Sequence, residues 1–214
     1  MIRIYDEYKE NMMTDNMWNG VNVEKPVIDE ETFLMTGKAF NVVRRTMKYE
    51  DGRTIIRDVV MHAPVVAVLV HNTTHDTYLL EREYRSGIND IAYGVAAGFM
   101  ESGEQPKMSM LRELSEETGI NLHQSALDGI DSRLHALPHM NSSEGFTNER
   151  TYPFILDIND GDYRTSDQSL DDDEYIQYEW VSYDQLKDML MNGDIHGASS
   201  MVLIQHEMIR RNLR

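Results

Sequence analysis

Residues 98–120 read G-F-M-E-S-G-E-Q-P-K-M-S-M-L-R-E-L-S-E-E-T-G-I, a segment that combines helix-boundary signals with a cluster of glutamates. Pro106 suits the first turn of a helix, where its missing N–H costs nothing. Gly119 suits the left-handed position just beyond a helix end. Because no other helix breaker lies between them, the sequence predicts a short helix between Pro106 and Gly119.

The glutamates of this segment share one side of the predicted helix. Glu113, Glu116 and Glu117 are three and four positions apart, so their side chains project from one face. Three like charges on one face repel each other, and a hard divalent cation such as Mg²⁺ or Mn²⁺ would remove that cost. Such a cation keeps water ligands that a phosphate group can replace. A solvated acidic face is the simpler interpretation, and the residues around the cluster decide between the two.

The surrounding residues complete a longer pattern, G-x5-E-x7-R-E-L-x-E-E-x-G-I, which starts at Gly98 and ends at Ile120. This pattern resembles the signature of the Nudix hydrolases at every position. The resemblance implies an enzyme in which water attacks a phosphorus atom of a diphosphate, with metal ions bridging the phosphates. It also implies an α+β protein with the Nudix fold, an α/β/α sandwich around a mixed sheet.

The resemblance also assigns roles to residues of the signature. Glu113 and Glu117 resemble the main metal ligands of the family, with Glu116 beside them and the carbonyl of Ala97 as a backbone ligand. Arg112 is similar to the arginine that orients these glutamates through charge-assisted pairs. An ordinary ion pair along the helix is the alternative interpretation of Arg112.

Two further segments resemble ADP-ribose pyrophosphatases within this family. Residues 79–85, L-L-E-R-E-Y-R, resemble a strand that often ends in Q-Y-R, which implies that Arg85 binds substrate phosphates. Residues 143–149, S-E-G-F-T-N-E, resemble a substrate-binding segment, with Gly145 and Glu149 as the matching residues. A surface arginine at a strand end is the alternative for Arg85.

The general base is sought in an acidic run, residues 171–174, which reads D-D-D-E. The segment I-Q-Y-E-W-V-S that follows resembles the strand next to the family's base-bearing loop. Glu174 is therefore the first candidate for base or extra metal ligand, and Asp172 is the second. Arg112 and Glu116 complete the expected catalytic set. The alternative is a solvated acidic loop.

The substrate is less well determined than the chemistry. Glu144 stands where the related segment has proline, and Y-G-V-A-A-G replaces the common W-E-L-P-A-G at Gly94 and Ala96. We expect hydrolysis of ADP-ribose to AMP and ribose 5-phosphate. The alternatives are another nucleotide sugar such as GDP-mannose, a dinucleotide, or a non-catalytic nucleotide-sensing Nudix domain.

Composition narrows the cellular context. The 214 residues include no cysteine, so disulfides and thiolate metal sites are excluded. The formal net charge of −17 opposes binding to nucleic acid and to anionic lipid. No apolar run is long enough to cross a membrane, and the charged N-terminus lacks a signal-peptide core. We expect a cytoplasmic protein.

The chain is expected to have two parts. Residues 1–60 are predicted to form an arm followed by a β-hairpin over 31–60, with E-D-G at its turn. Residues 61–214 are predicted to form the catalytic domain. The resemblance to ADP-ribose pyrophosphatases implies a homodimer in which the N-terminal strands are exchanged.

Apolar runs and alternation predict the remaining elements. The predicted strands cover residues 63–70, 77–83, 91–97, 127–138, 150–158 and 175–181, and the predicted helices cover residues 183–191 and 199–212.

Overall fold

The computed structural model describes residues 23–170 and 175–213. Within these residues the chain forms two units, one made of residues 23–32 and 44–57, the other of residues 33–43 and 58–213. No helix in the described part is long and apolar enough to cross a membrane.

Strands β1 (Val27–Thr36), β2 (Phe40–Lys48) and β3 (Thr54–His62) form a three-stranded sheet in that order. The predicted turn at E-D-G lies between β2 and β3, and Gly52 adopts a positive φ of 86° there. The prediction of a two-stranded hairpin is wrong in one respect. The segment before the E-D-G turn forms two strands, β1 and β2. The chain turns at Gly37, whose N–H donates to the carbonyl of Phe40 at 2.7 Å.

The main sheet of the second unit is built around β4 (Val65–Asn72). β11 (Arg150–Ile158) runs parallel to β4 from Thr151 opposite Val65 to Ile158 opposite Asn72. The other pairs are antiparallel, so the sheet is mixed as expected. The remaining strands of this sheet are β5 (Thr77–Arg85), β6 (Asp90–Gly94), β7 (Ala96–Phe99), β9 (Leu134–Ala136), β10 (Met140–Asn141) and β13 (Ile176–Ser182).

Helices cover both faces of the main sheet, because β4 is apolar on both sides. Val66, Val68 and Val70 pack in one core cluster, together with residues of helix α1 (Pro106–Thr118). Ala67 and Leu69 point the other way and pack in a second cluster. The second cluster includes residues of helices α3 (Tyr183–Asn192) and α4 (Ala198–Asn212). The expected α/β/α sandwich is therefore confirmed in this unit.

The predicted helix after residue 98 has the expected bounds. Helix α1 runs from Pro106 to Thr118, and Gly119 follows it in the left-handed conformation with φ 72°. The predicted strand over residues 127–138 is wrong over its first part. Those residues belong to helix α2 (Gln124–Asp128) and a 3₁₀ helix (Ile130–Ser132), and only β9 is extended. Ala126 and Ile130 are both buried four residues apart, a helical spacing.

One small sheet was not predicted. It pairs β8 (Ile120–Leu122), which follows α1, with β12 (Tyr163–Thr165).

A buried polar network joins α4 to the main sheet. Arg210 donates two parallel hydrogen bonds to Asp157 of β11, from Nη1 to Oδ2 at 2.6 Å and from Nη2 to Oδ1 at 2.8 Å. His71 Nδ1 lies 2.9 Å from Oδ1 of the same aspartate. The fully buried Glu207 accepts a hydrogen bond from the hydroxyl of Tyr78 at 2.6 Å. The C-terminal helix is therefore held to the sheet by charged groups as well as by apolar packing.

Candidate active site

Strand β7 brings its backbone against the glutamate face of α1. Gly98 pairs with Val66 of β4, and a Cβ atom added at Gly98 would overlap the side-chain carboxylate of Glu113. A larger residue at this position would require the Glu113 carboxylate to move. The first residue of the signature therefore acts by leaving space for the carboxylate.

Arg112 fixes three glutamates at once. Its Nε and Nη2 atoms donate to Oε1 and Oε2 of Glu104 at 3.1 and 3.0 Å, a bidentate pair. Its Nη1 atom donates to Oε1 of Glu113 and to Oε2 of Glu116, both at 2.9 Å. Nη2 also donates to the carbonyl of Phe99 at 2.8 Å, which connects the helix to β7. These contacts exceed those of an ordinary helix ion pair.

The hydrogen bonds from Arg112 also stabilise the charged form of Glu104. They lower the pKa of Glu104 to about 2, and a hydrogen bond from the backbone of Glu101 acts in the same direction. Glu104 is thus a charged anchor for Arg112.

Glu117 is the most deeply buried glutamate of the signature, with 5% of its surface exposed. Burial raises the pKa of Glu117 well above its usual range, and the nearby carboxylates of Glu81 and Glu113 add to the rise. The N–H of Ala97 donates to Oε2 of Glu117 at 3.1 Å. Buried carboxylates that repel each other are a donor set that suits a hard divalent cation, since its charge offsets both burial and repulsion.

The carboxylates are close together without forming a finished cation site. Within the part of the chain that the structure describes, no three His, Asp or Glu side chains are grouped as ligands around one point. Arg112 holds one oxygen each of Glu113 and Glu116.

Glu81 is a site residue that sequence reasoning missed. It lies on β5 with 3% of its surface exposed, and it is close enough to Glu117 to raise the pKa of that group. The signal in the sequence was a glutamate directly after the buried run Tyr78, Leu79 and Leu80. A carboxylate at the end of such a run is costly unless a ligand or a partner compensates it.

A cavity of about 800 Å³ lies in front of the glutamates. Arg85, which the resemblance assigns to substrate phosphates, borders it, with Nη2 2.8 Å from Oε2 of Glu83. Glu149 also borders it, whereas Gly145 is absent from its lining. The other lining residues named in the sequence analysis are Ala97, Gly98, Arg112, Glu113, Glu116 and Glu117.

His62 and Ser142 are cavity residues that the sequence did not single out. His62 Nδ1 lies 3.0 Å from Oε2 of Glu149, and the hydroxyl of Ser142 donates to Oε1 of the same carboxylate. A single histidine at the end of a strand has no distinguishing pattern in the sequence.

The two candidates for the base, Glu174 and Asp172, lie outside the described residues. The chain on either side of them is near the cavity. Leu170 lines the cavity, and Ile176 pairs with Glu83, which lines it too.

A second cavity of about 350 Å³ adjoins the first and shares Glu83, Arg85, Ala97 and Ser199 with it. Its own lining includes Gly94, one of the positions where the chain departs from the family pattern. A Cβ atom at Gly94 would lie 3.2 Å from Oγ of Ser200 in α4, so glycine avoids a tight contact here.

Comparison with known proteins places these features in context. A family model of the NUDIX domain matches residues 61–199. The chain is 24% identical over 191 residues to an ADP-ribose pyrophosphatase of Bacillus subtilis (strain 168), covering 89% of this chain and 96% of the relative. It is 38% identical over 111 residues to an ADP-sugar pyrophosphatase of Mus musculus, covering 51% of this chain and 45% of the relative.

The fold also has a counterpart among solved structures. A crystal structure of an ADP compounds hydrolase superposes with a TM-score of 0.69 at 18% sequence identity, covering 90% of this chain and 98% of that chain. At this identity the likeness supports the fold, and it matches the expectation from the signature.

Proposed function

Since the chain belongs to the Nudix family, we propose that it is a metal-dependent pyrophosphatase whose substrate is a nucleoside diphosphate sugar. The observation that carries the proposal is the group of Glu113, Glu116 and Glu117, held by Arg112 on the wall of the large cavity. ADP-ribose is the proposed substrate, and AMP and ribose 5-phosphate are the proposed products. Similarity over most of both chains to an ADP-ribose pyrophosphatase supports this choice.

The proposed cation is Mg²⁺ or Mn²⁺, held by the carboxylates of Glu113, Glu116 and Glu117 and the carbonyl of Ala97. When bound, such a cation neutralises phosphate charge and activates water for attack. The chain's own residues position the reactants. Arg112 keeps Glu113 and Glu116 in place, and the guanidinium of Arg85 at the cavity wall is suited to phosphate oxygens.

Proton removal from the attacking water is assigned to Glu174, with Asp172 as second candidate. Support comes from the position of the neighbouring Leu170 at the cavity. We expect Glu174→Gln to lower kcat much more than it changes KM, because a base acts in the transition state. Asp172→Asn should have the smaller effect on kcat. The reverse order would move the base to Asp172, and unchanged turnover in both variants would remove the acidic run from the mechanism.

The test is a hydrolysis assay with ADP-ribose, GDP-mannose and a dinucleotide, each with Mg²⁺ and with Mn²⁺. We expect AMP and ribose 5-phosphate from ADP-ribose, and a loss of at least a hundredfold in kcat for Glu117→Gln. Glu179→Gln is the matched control, since Glu179 is an exposed strand residue outside the cavity lining. Absence of hydrolysis of all three compounds with both cations would contradict the proposal.

GDP-mannose is the second candidate substrate. The second cavity next to Arg85, bordered by Gly94, offers additional space for an end group that differs from that of ADP-ribose. A higher kcat/KM for GDP-mannose than for ADP-ribose in the same assay would favour this candidate.

Residues 61–214 are proposed as the catalytic domain and residues 1–60 as a dimerisation arm. Every residue of β1 is exposed, including Val27 and Phe33 with 67% and 60% of their surfaces accessible. A second copy of the chain covering this strand would account for such apolar exposure. The net charge of −17 opposes binding to nucleic acid and to anionic membranes. A cytoplasmic location and a homodimer are part of the proposal.

A further inference from the structure

The end of strand β3 anchors the segment formed by residues 143–149. The N–H of Val60 donates to the carbonyl of Phe146 at 2.8 Å, and the N–H of Asn148 donates to the carbonyl of Val60 at 3.2 Å. The N–H of His62 donates to Oδ1 of Asn148 at 2.7 Å. The segment that carries Glu149 is thus fixed to the strand that carries His62.

The ring of His62 has a defined proton position. Its Nδ1 atom lies 3.0 Å from Oε2 of Glu149 and 2.8 Å from the carbonyl oxygen of Ala63. Both neighbours are acceptors, so Nδ1 carries the proton. The ring also packs at a tilt of 46° against Phe99, with 4.9 Å between centroids. In the uncharged ring, Nε2 is then an acceptor.

Each oxygen of the Glu149 carboxylate already has one partner. Oε2 faces His62, and Oε1 accepts a hydrogen bond from the hydroxyl of Ser142. Nε2 of His62, in contrast, has no hydrogen-bond partner within residues 23–170 and 175–213. Since His62 lines the large cavity, its ring is better placed than Glu149 to contact a ligand there.

We propose that His62 binds the substrate by accepting a hydrogen bond at Nε2 from a sugar hydroxyl. The hydrogen bond from Nδ1 to the carbonyl of Ala63 fixes its tautomer, and the charge of the nearby Glu149 carboxylate favours the same tautomer. The inference rests on the proposed function for the identity of the substrate. Phosphate oxygens are acceptors and offer nothing to an acceptor nitrogen, whereas sugar hydroxyls donate. His62 therefore recognises the sugar part of a nucleoside diphosphate sugar, and Arg85 recognises the phosphates.

The sharpest variant is His62→Asn. The asparagine amide occupies the place of Nδ1 and still donates towards Glu149 and Ala63, but nothing replaces Nε2. In a Glu117→Gln background that prevents turnover, we expect His62→Asn to weaken ADP-ribose binding about three- to tenfold, as the loss of one hydrogen bond implies. Binding of inorganic pyrophosphate, which has no sugar, should be unchanged. His123→Asn is the control, since His123 is exposed and lies outside the cavity lining.

The tautomer is measured without any ligand. Long-range ¹H–¹⁵N spectra of the wild-type protein should show His62 with a protonated Nδ1, and Glu149→Leu should raise the population of the other tautomer. A ring protonated at Nε2 in the wild type would overturn the inference whatever the substrate is. Equal losses of affinity for the two probes, or wild-type affinity of His62→Asn for ADP-ribose, would also overturn it. If the Glu117→Gln protein with intact His62 binds pyrophosphate but not ADP-ribose, the proposed function is contradicted. The measured tautomer of His62 then tests the inference on its own.

Discussion

At the scale of single residues, the site depends on a glycine, Gly98. Gly98 leaves space for the carboxylate of Glu113, and the backbone of β7 can therefore lie against α1. The same position lines the large cavity. A substitution at Gly98 therefore displaces the carboxylate of Glu113 first, and any effect on core packing is secondary.

Gly98→Ala tests this directly. The added methyl group would displace the Glu113 carboxylate, so we expect a loss of at least tenfold in kcat, because small displacements of catalytic groups are costly. Gly129→Ala is the matched control, since Gly129 lies outside the cavity lining and a Cβ atom added there would come no closer than 3.9 Å to another group. The measurement is steady-state hydrolysis of ADP-ribose, with circular dichroism to confirm that both variants fold. Normal kcat for Gly98→Ala would contradict the assigned role of this glycine.

Glu104 provides a second prediction at this scale. Its pKa in the folded protein is about 2, below the ordinary value near 4.3 in an unfolded chain. The group therefore stabilises the fold above about pH 4.3, and this contribution is lost as the pH falls towards 2. We expect Glu104→Gln to lower the free energy of unfolding by about 1 to 2 kcal/mol at pH 6.

The difference between Glu104→Gln and wild type should shrink to near zero at about pH 2. Urea unfolding at several pH values measures both proteins. A difference that stays constant from pH 6 to 2 would show that the charge on Glu104 does not contribute.

At the scale of elements, local and non-local signals differ in what they could predict. Helix α1 was predicted with its bounds because Pro106 and Gly119 are local signals. Glu81 and His62 were missed because their partners are far along the chain, at Glu117 and Glu149. The strand predicted over residues 127–138 was wrong over its first part because apolar content alone does not separate a short helix from a strand.

Helix α4 carries the third prediction, through its contact with β11. Burial acts to raise the pKa of Asp157, but the hydrogen bonds from Arg210, His71 and His135 and the charge of Arg210 together outweigh it and hold this pKa well below its ordinary value. Asp157→Asn would remove one of the two carboxylates that pair with Arg210 and leave Glu207 as the other. We expect a loss of about 1.5 to 3 kcal/mol in the free energy of unfolding, as the loss of hydrogen bonds to a charged group implies.

The control for this variant is Asp184→Asn, which removes an exposed ion pair with Lys187 at 2.9 Å. Such surface pairs contribute about 0 to 1 kcal/mol. Urea unfolding at pH 7 compares the two variants. If both lose the same free energy, the buried network does not stabilise the attachment of α4.

At the scale of the whole molecule, the proposed homodimer leads to the fourth prediction. Light scattering at micromolar concentration should give twice the mass of one chain. Phe33→Asp should shift the mass towards the monomer, because a charge would be buried where β1 is covered. Thr32→Asp, on the opposite face of the same strand, is the matched control. A wild-type protein that is monomeric at this concentration would contradict the dimer.

The parallel pairing of β4 with β11 also has a consequence for how the chain is made. Val65 and its partner Thr151 are 86 positions apart in the chain. At about 5 to 20 residues per second, a ribosome needs roughly 4 to 17 seconds to produce the partner of β4 after β4 itself. During this interval one edge of the most apolar strand is open to other nascent chains. Conditions that slow elongation between these two strands should therefore increase aggregation during synthesis, although the finished protein is unchanged.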